Sequence, residues 1–134
     1  MRRLKRMGAA LMMTAAGSAV AVVGVASPAS AAADCYTAVT RTFSRYLEDA
    51  STTVMGPYNG STHCADVNIK RTGSSGYYAC VIRTYQGQTD CSATTFVPTS
   101  WVVPKGGSGI PNGAAFKVKL QATPFKTLQG ILAY

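Results

Sequence analysis

One histidine, His63, and five acidic side chains, Asp34, Glu48, Asp49, Asp66 and Asp90, are all that 134 residues offer for proton transfer near neutral pH. An enzyme needs converging groups whose protonation states are tuned to the reaction. A Ser, His and Asp arrangement of His63 with Asp66 or Asp90 has no more support here than in any serine-rich chain, because His63 lies in the turn-rich stretch Asn59-Gly60-Ser61-Thr62-His63. Glu48 and Asp49 are adjacent, so a strand would send them to opposite faces, which does not suit paired-carboxylate chemistry. A metal site is the rival reading for four cysteines, but neither a Cys-x-x-Cys nor a paired Cys and His spacing is present. The chain therefore reads as a non-enzyme that needs no metal or cofactor. It also lacks internal repeats, linkers and any sign of a second domain.

What is present begins with an export signal. Arg2, Arg3, Lys5 and Arg6 form a basic start, Gly8 to Ala26 is apolar and uncharged, and Ser27-Pro28 breaks any helix before Ala29-Ser30-Ala31. That order of charge, hydrophobicity and small residues is what the secretory machinery reads. Residues 1–31 are expected to be cleaved after Ala31 by a Sec-type route, with no membrane attachment afterwards. The mature part, residues 32–134, has the length of one domain. Four of the thirteen Lys and Arg leave with the signal and all five acids stay, so the net charge falls from +8 to +4. A mild positive balance suits loose attraction to anionic polymers and is too diffuse for a nucleic-acid binder.

Cys35, Cys64, Cys80 and Cys91 all lie in the mature part, and an even number of cysteines in an exported chain implies pairing. Of the three connectivities, Cys35-Cys64 with Cys80-Cys91 is preferred, because the second pair brackets a turn candidate around Gly87. A tight turn at Gly87-Gln88 would place Cys91 opposite Thr84, so this bridge requires a longer loop.

Thr, Val, Ile, Tyr and Phe dominate the mature part, and Gly, Pro, Asn and Ser punctuate it, which predicts an all-β domain, a small antiparallel β-sandwich. The clearest strand is 114–122, where Ala114, Phe116, Val118, Leu120 and Ala122 alternate with Ala115, Lys117, Lys119 and Gln121. Cys64 to Arg71 also alternates. Its expected partner is Tyr77 to Tyr85 across a hairpin closed by Thr72 and Gly76, with Val67 opposite Val81 and Ile69 opposite Ala79. Cys91 to Val97 and Ile131 to Tyr134 complete the expected strands. Residues 36–50 carry apolar side chains at helical spacing, yet Thr37, Thr40, Thr42 and Ser44 weaken a helix, and the strand reading is preferred. Residues 104–113 are rich in glycine and without apolar periodicity, so they predict an exposed, mobile loop.

All twelve aromatic residues fall in the mature part. Stacking rings are how many small exported β domains hold sugars or partners, and Tyr77, Tyr78 and Tyr85 are the candidate interaction surface. Adjacent Tyr77 and Tyr78 guarantee that one ring faces outward if their strand is regular. Lys105, in the 104–113 loop, could be presented to a protease. The expected function is non-catalytic binding of an extracellular protein or polymer, with inhibition of an extracellular hydrolase through the 104–113 loop as the first alternative and a small hydrolase centred on His63 as the second.

The run Cys64-Ala65-Asp66-Val67-Asn68-Ile69-Lys70, followed by Ala79-Cys80-Val81, Cys91 and Trp101, resembles small exported disulfide-containing β-domain proteins of actinobacteria with no established activity. The resemblance covers about 40 residues, implies a compact bacterial β domain and transfers no functional residue. The Trp-Arg-Tyr triplet of small amylase inhibitors is absent, because Val102-Val103 follows Trp101.

Overall fold

The structure, a computed structural model, describes residues 34–134. The expected export signal and its cleavage point lie outside the described residues. Seven strands follow one another: β1 (Thr40–Leu47), β2 (Thr52–Asn59), β3 (Asn68–Arg71), β4 (Tyr78–Ile82), β5 (Thr95–Phe96), β6 (Ala115–Gln121) and β7 (Lys126–Ala133). They form two antiparallel sheets, one of order β1-β7-β3 and one of order β2-β6-β4-β5. The domain is all-β, as its composition predicts.

Alternation explains how the sheets meet. On β6, Phe116, Val118 and Leu120 are fully buried while Lys117, Lys119 and Gln121 face outward. On β7, Leu128, Gly130 and Leu132 turn inward from the other sheet. Between these two central strands lie Met55, Val67, Ile69, Ala79, Val81 and Val97 in one continuous core. β6 is interior to its sheet, and on its outer face Lys119 pairs with Asp90 at 2.8 Å.

Tyr77 crosses the core. Its ring is fully buried, its hydroxyl donates to the Gln129 carbonyl at 3.1 Å on the opposite sheet, and Phe43 meets it edge-on with centroids 6.3 Å apart. Burial pushes its phenol well above the ordinary value of about 10, and nearby Arg71 opposes the shift only in part. A raised pKa in the fold means that the neutral phenol is the form the fold holds. Its stabilisation is complete below about pH 10 and is lost as pH rises toward the folded value. Chemical denaturation at pH 8 and pH 11 should show a loss of stability in the alkaline solution. Tyr77→Phe should lower stability by about 1 kcal/mol at pH 8 and shrink the loss between the two pH values, and an undiminished loss would exclude Tyr77 as its source.

The expected hairpin between 64–71 and 77–85 does not form. β3 pairs with β7, Asn68 against Ala133 and Ile69 against Leu132, whereas β4 pairs with β6, Ala79 against Leu120 and Val81 against Val118. The connection arches from one sheet to the other. Thr72 extends the pairing with β7 by donating its N–H to the Gln129 carbonyl, and the Arg71 guanidinium donates to the Gly73 and Ser74 carbonyls of the arch. Val67, Ile69, Ala79 and Val81 do share one core, but face to face across it instead of side by side.

Residues 36–50 divide between the two readings: 34–38 is a short helix and Thr40–Leu47 is β1. β2 is not among the expected strands, and Gly56-Pro57 falls within it. The chain accommodates it as an irregularity between Met55 and Tyr58 on an edge strand, where proline costs no ladder bond and Gly56 adopts φ +112°.

The bridges are Cys35–Cys64 and Cys80–Cys91, with Cα atoms 4.8 and 6.4 Å apart. The first ties the short helix over the outside of β7, where Cys35, Cys64 and Ala133 are buried beneath Tyr36 and Trp101. The second spans the longer loop it requires: β4 ends at Ile82, a 3-10 turn covers Thr84–Gln86 and Gly87 reverses the chain at φ +76°. Closing loops of 29 and 11 residues restricts the unfolded chain by roughly 3 kcal/mol each.

Residues 104–113 are not a mobile loop. Pro104, Gly107 and Ile110 are buried, the Lys105 and Gly107 carbonyls accept from the Val81 and Val67 amides at 2.8 Å, and the Ile110 amide donates to Ala65 at 2.9 Å. The Arg83 guanidinium fastens the tip, donating from Nε to the Gly106 carbonyl at 2.8 Å and from a terminal nitrogen to the Ser108 carbonyl.

Candidate functional site

Tyr77, Tyr78 and Tyr85 do not share a surface. Tyr77 is 0% exposed and belongs to the core. Tyr78, one residue on, is 48% exposed on the outside of its sheet, where it meets Phe96 edge to face at 5.6 Å. Tyr85 sits half-buried on the 3-10 turn and packs against the core. The adjacent-tyrosine argument holds for Tyr78 and removes Tyr77 from any exposed surface.

Lys105 is exposed, but its main chain is engaged on both sides: its N–H donates to Thr95 Oγ1 at 2.9 Å and its carbonyl accepts from Val81. An inhibitory loop presents its main chain to the protease, and here those groups are taken. His63 is exposed, with its backbone N–H on Ser61 Oγ at 3.2 Å. Asp66 accepts from the Gly109 amide and Asp90 from Lys119, so each carboxylate is held elsewhere. The Lys119 ammonium, then the Cys91 amide, hold Asp90 below the ordinary carboxylate range. Among the described residues, no group of three or more His, Cys, Asp or Glu side chains converges.

The two flanks of the sandwich differ. On the β3, β4 and β5 side, residues 98–110 run between the sheets and bond to both: Arg71 N–H to the Pro98 carbonyl, Ile69 and Val102 reciprocally at 2.9 and 3.0 Å, Val67 to Gly107 and Val81 to Lys105. On the β1 and β2 side no such segment lies among the described residues. A depression of about 310 Å³ opens there, lined by Arg41, Thr42, Phe43, Ser44, Arg45, Tyr58 and Leu132.

Pairing with β7 puts Arg41 opposite Leu132, Phe43 opposite Gly130 and Arg45 opposite Leu128. Residues opposite one another in an antiparallel pair share a face, so both arginines occupy positions on the core-facing side of β1. The outer alternates are Thr40, Thr42, Ser44 and Tyr46. Tyr58, which lines the depression, packs on the buried rings of Tyr134 and Phe116 behind it, with centroids 5.0 and 5.7 Å away. Burial raises the pKa of the Tyr134 hydroxyl, and the nearby Arg41 guanidinium draws it back in part.

Neither guanidinium is neutralised, since Lys119 with Asp90 is the only ion pair among the described residues. Both arginines are exposed, and each planar guanidinium suits a carboxylate, sulfate or phosphate group. The sequence reading missed this pair. The signal was available in the alternation Val39, Arg41, Phe43, Arg45, Leu47, where charge interrupts an otherwise apolar face.

The chain matches no protein-family model, no curated protein sequence and no solved structure.

Proposed function

We propose that this chain is an exported, non-catalytic binding protein that takes an anionic partner on the arginine-lined flank between β1 and β2. The observation that carries the reading is the placement of Arg41 and Arg45 at core-facing positions of an edge strand, with no ion-pair partner among the described residues. A charge in such a position forgoes the burial its neighbours gain, and an anionic ligand restores the balance. Two disulfides fit an oxidising, extracellular setting, and residues 1–31 supply the route.

Retention on dextran sulfate against uncharged dextran tests the reading. The protein should be held by the sulfated matrix and released by salt. Arg41→Ala/Arg45→Ala, with its fold checked by circular dichroism, should bind at least tenfold more weakly, since one charge-assisted contact contributes about 1.5–3 kcal/mol. Equal retention of the folded variant would overturn the assignment of the site.

A second reading rests on Tyr78 and Phe96, two exposed rings in edge-to-face contact on the outside of the other sheet. A neutral glycan stacking there would be lost in Tyr78→Ala and unaffected by the arginine changes. Inhibition through Lys105 is disfavoured by its engaged main chain. At micromolar protein, trypsin-like proteases should remain uninhibited.

A further inference from the structure

We propose that the anionic partner is an extended segment of another protein that adds as a strand to the free edge of β1, carrying acidic side chains four residues apart. The inference rests on the anion-binding reading above and specifies what the anion is.

The main chain supplies the first argument. The Tyr134 amide donates to the Val39 carbonyl, so residues 39 and 134 are a hydrogen-bonded pair, and alternation makes 41, 43, 45 and 47 the residues of β1 that bond to β7. The N–H and C=O groups of Thr40, Thr42, Ser44 and Tyr46 therefore point away from the sheet. β1 is the outermost strand of its sheet, and no strand lies on that side among the described residues. The contrast with β2, the neighbouring edge, is physical: Gly56 and Pro57 interrupt β2, whereas Thr40–Leu47 is eight regular residues without Gly or Pro. An uninterrupted edge of this kind is a template for strand addition.

Charge decides what can occupy it. Toward a new strand, Arg41 and Arg45 fall at positions between the hydrogen-bonded pairs, where facing side chains come closest. They stand about 13 Å apart on one face, with Phe43 between them. A segment with acidic residues at its first and fifth positions and an apolar residue at its third matches all three. The same charges oppose a second copy of this chain. The antiparallel register centred on Phe43 places Arg41 of each copy against Arg45 of the other, and the register centred on Ser44, of equal overlap, places each Arg45 against Phe43 and each Arg41 against Leu47. Inward charges are one way in which edge strands avoid self-pairing, and here neither register gives the arginines an opposite charge, whereas an acidic strand does.

Three blocked seven-residue peptides test the proposal: Thr-Glu-Thr-Val-Thr-Glu-Thr, the same composition with one glutamate moved to the adjacent position, and the first peptide N-methylated at alternate amides on its hydrogen-bonding edge. The first should bind at least tenfold more tightly than the others, and the amides of Thr42 and Ser44 should become protected from hydrogen exchange. Tyr46→Pro removes one edge donor without removing a bond to β7. It should keep retention on dextran sulfate and weaken the peptide severalfold. Equal binding of all three peptides, or binding without protection of Thr42 and Ser44, overturns strand addition and leaves the anion site standing. Failure of every peptide together with failure on dextran sulfate overturns both.

Discussion

Gly130→Ala should destabilise the protein by about 3 kcal/mol, near the upper end of what overpacking costs, with the midpoint of thermal unfolding roughly 15 °C lower. A Cβ on Gly130 would lie 2.5 Å from the Tyr77 hydroxyl, 2.6 Å from the Lys70 carbonyl and 2.6 Å from Cζ of Phe43. One of these is backbone of β3 and cannot swing aside. The other two are rings packed between the sheets, and Tyr77 is tied by its hydroxyl to Gln129. Gly130 is therefore the clearance through which Tyr77 spans the core. Introducing Gly130→Ala into Tyr77→Phe should cost less than introducing it into the native chain, because one of the three obstructions is gone. Denaturant unfolding of the four proteins measures this coupling, and strictly additive losses would show that Tyr77 does not set the tightness of the site.

Much of the fold was legible because burial writes itself into period-two patterns. β6 was read almost to its ends, since Phe116, Val118 and Leu120 alternate with lysines on a strand that has one wet face. The disulfide pairing was also legible, together with the longer loop it demands. The partner of β3 was not. Val67 and Ile69 against Ala79 and Val81 make an equally consistent set whether two strands lie side by side or face one another across a core, and only the arch at 72–76 distinguishes the cases. Residues 104–113 misled for a different reason. Their order comes from backbone bonds to Val67 and Val81 and from the side chain of Arg83, groups remote in sequence, so no local periodicity records it. Alternation requires one ring of the Tyr77 and Tyr78 pair to face outward, and burial makes it Tyr78. Arg41 and Arg45 were missed because a search for apolar alternation rejects the very strand in which charge replaces two core-facing positions.

That replacement leads to a second large effect: Arg45→Glu should convert the protein into a dimer. In the register centred on Phe43, each copy of the variant would set Arg41 against the new glutamate of the other copy, twice by symmetry. Changing a like-charge cross-strand pair to an opposite-charge one contributes roughly 1–2 kcal/mol, so two such changes should strengthen association by about 3 kcal/mol, or about a hundredfold. Sedimentation equilibrium across a concentration series at low salt should show the variant associating where the native chain stays monomeric, and added salt should weaken the association. Arg41→Glu/Arg45→Glu restores like charges in the same register and should be monomeric again. Mixed with the native chain, however, this double variant faces arginines with glutamates at both positions, so two proteins that are each monomeric alone should form a heterodimer. An Arg45→Glu protein no more associated than the native chain would show that the edge of β1 is closed to strands of either charge. A mixture in which the double variant associates equally well with itself would show that charge does not select the occupant. Between those outcomes, the heterodimer alone requires both features at once: main-chain groups of Thr40, Thr42, Ser44 and Tyr46 free to pair, and the two arginines deciding with what.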